Sequence, residues 1–142
     1  AVSDETVSQV DLAATFAAML SYDLDAKDAV DSYDLSPVLD GKDLKGTLRV
    51  ATVQNTQEKK YGLRKGDWMF INSKSGMHSK APVWYDKKHG YQKEKTAGLL
   101  FNLAKDPAQK ENLYASHPEK VAEMNALLER YLAGEGCAPH AK

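Results

Sequence analysis

Two stretches of this 142-residue chain concentrate side chains of the types that do chemistry. Residues 73–97 carry six lysines (Lys74, Lys80, Lys87, Lys88, Lys93 and Lys95) against Asp86 and Glu94, a net +4, interleaved with His78, Trp84, Tyr85, His89 and Tyr91. Ammonium groups attract sulfate-bearing ligands, and aromatic faces can cover sugar rings. A solvated lysine-rich loop has the same composition and is the first expectation, with a role in substrate approach the second. His78 and His89 are eleven residues apart, which is not a metal-ligand spacing. The second stretch is acidic, with Asp23, Asp25, Asp28, Asp31 and Asp34. A calcium loop beginning at Asp23 would need glycine at its sixth position and a bidentate glutamate at its twelfth, where the chain has Asp28 and Asp34. A solvated acidic linker is the better expectation. The single cysteine, Cys137, has no internal disulfide partner.

The elements that would position these residues are read from periodicity. Leu99, Phe101 and Leu103 alternate with Leu100 and Asn102 as in a partly buried strand, which Asp106-Pro107 then breaks. Ser116-His117-Pro118-Glu119 has the spacing of a capping box. Val121, Met124, Leu127, Leu128, Tyr131 and Leu132 then form one apolar helical stripe that Gly134 is placed to end. Upstream, Asp11 is expected to cap a helix whose stripe is Leu12, Phe16, Met19 and Leu20, with alanines allowing close packing. Leu48 to Gln54 alternates as a strand, and Gln57 to Lys60 is a polar turn. Tyr61–Arg64 and Asp67–Asn72 read as a hairpin around Lys65-Gly66, with Trp68 and Phe70 on one face and Met69 and Ile71 on the other. Trp68 is expected in the core. The fold class is α+β: a four-stranded antiparallel sheet packed under a long C-terminal helix, preceded by a helix and a linker.

Charge is distributed unevenly. The net charge is −1, but residues 1–43 hold ten carboxylates against Lys27 and Lys42, so the first stretch carries −8 and the remainder +7. The overall balance argues against disorder and against a nucleic-acid partner. No apolar run approaches the ~20 residues that cross a bilayer, and no cleavable signal is visible.

Four ordered runs carry a resemblance. Val10-Asp11-Leu12-Ala13-Ala14-Thr15 is similar to the Val-Asp-Leu-x-Pro-Thr run that begins the last catalytic-domain helix of type I sulfatases, with Ala14 in place of proline. Asp34-Leu35-Ser36-Pro37-Val38-Leu39-Asp40-Gly41 resembles the Asp-Leu-x-Pro-x-Leu-x-Gly segment that links the two sulfatase domains. Tyr61 to Trp68 resembles the Arg-x-Gly-x-Trp hairpin, with Met69 where the family usually has lysine. Phe101-Asn102-Leu103, Asp106-Pro107, Asn112-Leu113 and His117-Pro118-Glu119 resemble the closing strand, turn and helix, with Gln109 replacing the usual glutamate.

The resemblance implies residues 1–45 as the last catalytic-domain helix plus acidic linker. It implies residues 46–142 as the C-terminal subdomain, with a basic insertion at 73–97. Sulfate-ester hydrolysis needs a nucleophile, a cation on the sulfate oxygens and an acid for the leaving group. In that family a Cys or Ser in Cys/Ser-x-Pro-x-Arg becomes formylglycine, and a divalent cation, usually calcium, is held by carboxylates and an amide. Cys137 is followed by Ala138-Pro139-His140 and by no arginine at the required place. The resemblance therefore implies no catalytic residue, metal ligand or cofactor in this chain, with calcium and formylglycine belonging to a missing catalytic domain. The implied partners are that domain and a sulfated small molecule or glycan, with neither nucleic acid nor membrane. Self-association of the fragment is also expected, and the compartment is periplasmic or secreted if the parent carries a signal peptide. Thr52, Gln54 and Asn55 fall where relatives often carry cleft-facing histidines; with His78, Lys80, Trp84 and Lys87 they are the substrate-side candidates. The alternatives are a stand-alone anionic-glycan-binding module and the tail of a related phosphoester hydrolase.

Overall fold

A computed structural model describes residues 2–42, 44, 46–57, 59–74, 82–91, 94–136, 138 and 139. The chain forms two compact units, one of Ala1–Thr52 with Arg130–Lys142 and one of Val53–Glu129. The elements are α1 (Leu12–Met19), α2 (Ser36–Leu39), β1 (Thr52–Gln57), β2 (Lys60–Lys65), β3 (Trp68–Ile71), α3 (Val83–His89), β4 (Leu99–Asn102) and α4 (Pro118–Leu132), and a short 3-10 turn at Gln9–Asp11 leads into α1.

The unit of Val53–Glu129 is built on one four-stranded sheet in the order β1-β2-β3-β4. β2 and β3 pair antiparallel, Leu63 opposite Phe70 and Lys65 opposite Trp68. Gly66 supplies the positive φ (54°) that opens the two-residue turn between them. β3 and β4 are also antiparallel, Phe70 opposite Leu100. Leu63, Phe70 and Leu100 therefore stand side by side across three strands, and all three are buried.

β4 is buried on both faces, since Leu99, Leu100 and Phe101 are all shielded in succession. An edge strand with open backbone groups invites unwanted pairing. Here the edge is covered by the Asn112-Leu113 segment. Leu113 N–H donates to the Leu100 carbonyl (2.8 Å), and Leu100 N–H donates to the Asn112 side-chain oxygen (3.0 Å). Asn112 Nδ2 in turn donates to Glu94 Oε2 (2.7 Å) and Thr96 Oγ1 (2.9 Å). One amide side chain thus replaces a missing strand. Gly98 lets this covering segment approach, because a Cβ there would lie 2.5 Å from the Tyr114 ring and 2.7 Å from the Ile71 carbonyl.

The turn after β4 is organised by Asp106, whose carboxylate accepts from the Lys110 and Glu111 amides at 2.7 and 2.8 Å. Gln109 sits there with φ 53°. The expected capping box at Ser116 does not form. α4 begins at Pro118, and the Ser116 hydroxyl instead donates to the Leu113 carbonyl (3.1 Å). Met124 and Leu128 are the fully buried part of the helix stripe, whereas Leu132 is exposed. Trp68 is half-buried under the first turns of α4, with Lys120 Nζ 5.5 Å from its ring centroid and the His117 ring at 5.9 Å. Lys65 Nζ pairs with Glu123 at 2.8 Å.

The unit of Ala1–Thr52 with Arg130–Lys142 is held by a buried polar cluster. The Asp11 carboxylate is fully buried and accepts from Ser8 N–H (2.7 Å), from Tyr33 N–H (3.0 Å) and from the Arg49 guanidinium. Arg49 also donates to the Asp31 carbonyl (2.6 Å) and lies 4.3 Å over the Tyr33 ring. Thr15 Oγ1 donates to the Asp11 carbonyl (2.7 Å) and accepts from Leu35 N–H (2.9 Å), while Ser32 Oγ accepts from Ala14 N–H (2.7 Å). These contacts fold the acidic linker onto α1. The expected strand from Leu48 forms only from Thr52, because Leu48 and Arg49 are drawn into this cluster: Leu48 N–H donates to Glu5 Oε2 (3.2 Å).

α1 packs by its small and polar side. Asp11, Ala14, Thr15 and Ala17 face inward, whereas Leu12, Phe16, Met19 and Leu20 are exposed. Nor does Asp11 cap α1 with its side chain, which is committed to the cluster instead. In α2 the Asp34 carboxylate accepts from Ser36 N–H (2.8 Å), and Gly41 (φ 68°) turns the chain out of the helix.

Candidate functional site

The substrate-side candidates separate onto two elements. Gln54 and Asn55 are exposed in β1, an edge strand of the sheet, and as neighbours they point to opposite faces. Thr52, at the start of β1, is buried, and its hydroxyl has no hydrogen-bond partner among the described residues. Trp84 and Lys87 are exposed on α3. His78 and Lys80 lie outside the described residues.

α3 was not legible as a helix in the basic stretch, which read as irregular. Its local signals are nonetheless present. Pro82 precedes it, Asp86 comes before Lys87, Lys88 and His89 in agreement with the helix dipole, and Gly90 (φ 76°) follows. Tyr91 N–H then donates to the Asp86 carbonyl at 3.0 Å, closing the helix end.

No residue of α3 is buried. At 100° per residue, Trp84, Lys88, Tyr85 and His89 fall on one arc of about 140°, with Lys87 about 60° beyond Trp84. Asp86, the one half-buried residue of the helix, lies about 60° beyond His89. The Tyr85 and His89 rings are 4.3 Å apart, and Trp84 meets Tyr85 edge-on at 5.8 Å. Beyond Gly90, Tyr91 is 41% exposed with Lys110 Nζ 5.9 Å from its ring centroid. Sequence reasoning singled out Trp84 and Lys87 but not Lys88, Lys110 or the Tyr85–His89 stack. The i,i+4 spacing of 84 with 88 and 85 with 89 was the available signal.

The unit of Ala1–Thr52 with Arg130–Lys142 offers a different surface, the outward stripe of α1, where Phe16 is 56% and Met19 57% exposed. Among the described residues no three His, Cys, Asp or Glu side chains converge on a point where a metal could sit. No helix of the described residues is long and apolar enough to cross a membrane.

The α+β arrangement, four antiparallel strands in one sheet with helices, matches that of sulfatase C-terminal regions, and the chain is similar to that portion of the sulfatases. It is 34% identical over 125 residues to N-acetylgalactosamine-6-O-sulfatase of Bacteroides thetaiotaomicron, a match covering 86% of this chain and 22% of the relative. Among solved structures it is similar to BT33336S-sulf, from work on the metabolism of multiple glycosaminoglycans by Bacteroides thetaiotaomicron, at TM-score 0.65 and 31% identity over 89% of this chain and 25% of that one. The 2-O GAG sulfatase BT1596 shares the fold at TM-score 0.57 and 20% identity, over 87% of this chain and 24% of that one. The chain thus spans about a quarter of the length of the relatives it matches. No family model matches it.

Proposed function

We propose that this chain is the C-terminal portion of a polypeptide that hydrolyses sulfate esters on carbohydrate, and that it serves that reaction by packing on the catalytic domain and bordering the substrate cleft. The carrying observation is the 34% identity to N-acetylgalactosamine-6-O-sulfatase across 86% of the chain. The outward stripe of α1 supports the docking half of the reading. Four large apolar side chains left in water (Leu12, Phe16, Met19 and Leu20) are the mark of a surface made to be covered. The catalytic domain of the same polypeptide is the occupant this reading assigns.

In the same reading calcium and formylglycine belong to that domain. Neither fits this chain, whose described residues hold no convergent set of metal ligands and whose Cys137 lacks the arginine of the formylglycine motif. The chain by itself is then inactive. The test compares sulfate release from 6-O-sulfated N-acetylgalactosamine by the longer polypeptide and by this chain alone, with a phosphate monoester as second substrate. Sulfate release by the longer polypeptide only is the expected result. Phosphate release without sulfate release would move the chain to the related phosphoester hydrolases, and hydrolysis of neither would overturn the reading.

A further inference from the structure

Exposed aromatic rings normally have a packing reason, and among the described residues those of α3 meet one another rather than a core. Trp84 is 64% and Tyr85 40% exposed, and the helix buries no residue at all. Seven residues are also too few to be stable as a helix for their own sake. The lysines alone are explained by the helix dipole and by solvation; the rings are not.

The rings and the Lys88 ammonium share one side of the element. Trp84 and Lys88 are i,i+4 neighbours, as are Tyr85 and His89, and the only carboxylate of the helix, Asp86, lies outside their arc. Tyr91 and Lys110 repeat the pairing of ring and cation just past the helix end. A flat apolar face next to a positive charge is complementary to a pyranose ring that bears an anionic ester. The ring lies over the indole, and the ester oxygens accept from Nζ.

We propose that the α3 face, with Tyr91 and Lys110, is a holding site for the chain of a sulfated polysaccharide. Trp84 and Lys88 form its centre. This deepens the function proposed above in that it takes the same class of substrate, but its binding step does not require the sulfatase reaction. A nucleic acid also combines anionic groups with stackable rings. It is the less favoured ligand because its phosphates are spaced far more densely than α3's few cations can match.

The test uses the whole 142-residue chain and a chondroitin 6-sulfate hexasaccharide, with the desulfated hexasaccharide and a deoxythymidine oligomer as comparison probes, all by calorimetry at low salt. Binding of the sulfated probe alone is expected, weakening with added salt. Trp84→Ala and Lys88→Glu should each weaken it by ~10-fold, while Trp84→Phe retains most of it. No binding, equal binding of the desulfated probe, tighter binding of the oligonucleotide, or binding unchanged in both variants would each overturn the assignment. In the longer polypeptide Lys88→Glu should raise KM for the polymer more than it lowers kcat, and an unchanged KM would remove the face from the substrate path. Failure of hydrolysis with binding intact would refute the sulfatase reading and leave the holding site standing.

Discussion

Removing the Asp11 carboxylate should open the unit of Ala1–Thr52 with Arg130–Lys142. In Asp11→Ala the Arg49 guanidinium, 7% exposed, keeps the Asp31 carbonyl and the Tyr33 ring but loses its counter-charge. The amides of Ser8 and Tyr33 lose their acceptor at the same time. Breaking one side of a buried ion pair costs about 3–5 kcal/mol, and each stranded donor about 1–3 kcal/mol, contributions that overlap and do not sum. A cost of ~3–5 kcal/mol is a large share of the ~5–15 kcal/mol that holds an ordinary domain together. Native-state hydrogen exchange at the Ala14 and Leu35 amides, which donate to Ser32 Oγ and Thr15 Oγ1, gives the local readout. Their exchange should become faster by roughly two to nearly four orders of magnitude, which is what about 3–5 kcal/mol implies. Asp11→Ala with Arg49→Met should recover much of the loss, since a buried pair replaced by apolar groups is often neutral. A single-variant cost under about 1 kcal/mol, or strictly additive single and double variants, would refute the reasoning.

Other consequences are equally direct. Asn112→Ala should cost about 2–3 kcal/mol in urea unfolding, because the Leu100 and Tyr114 amides lose their acceptor; a change below about 0.5 kcal/mol would deny Asn112 its role at the β4 edge. Glu123, hydrogen-bonded by Lys120 and then by Lys65, has its pKa lowered from 4.5 to about 2. Its contribution is therefore present above the unfolded-state value and lost as pH falls from about 4.5 through about 2. The group is 43% exposed, so solvent screening keeps the contribution below about 1 kcal/mol. Glu123→Gln should flatten the acid limb of the stability profile by that amount, and an unchanged limb would remove the pair from the account. The chain alone should self-associate through α1, and Phe16→Glu with Met19→Glu should restore a monomer in sedimentation; a wild-type monomer would show that the stripe needs no cover.

The sheet and the closing helix were legible because each repeats one rule over many residues. Alternation marked β3 and β4, Gly66 marked the hairpin turn, and the stripe through Met124 and Leu128 marked α4. What sequence missed depends on partners distant along the chain. α1 read as a helix with an apolar stripe of Leu12, Phe16 and Met19, but the small and polar side by which it packs within this unit was not legible. Within this unit the partner is polar, and Asp11, Thr15 and Ser32 take the inner face. The start of β1 was misplaced for the same reason, since Arg49 alternates like a strand residue but is claimed by Asp11. The Val-Asp-Leu and Asp-Leu-x-Pro runs that carried the family resemblance now have physical roles: Asp11 and Thr15 as acceptors for the linker, Asp34 and Gly41 as the two ends of α2. Of the candidate site, single residues such as Trp84 were visible, while the common face shared with Lys88 required the helix that Pro82 and Gly90 bracket.

The account rests most on this chain being the C-terminal part of a sulfatase, and the residues that precede Ala1 in the intact polypeptide test that directly. A Cys/Ser-x-Pro-x-Arg motif in a preceding domain some three times the length of this chain, about what a 22% match leaves over, is the predicted result. An initiating methionine immediately before Ala1 would contradict it and would leave a small protein whose α3 face is its principal functional surface.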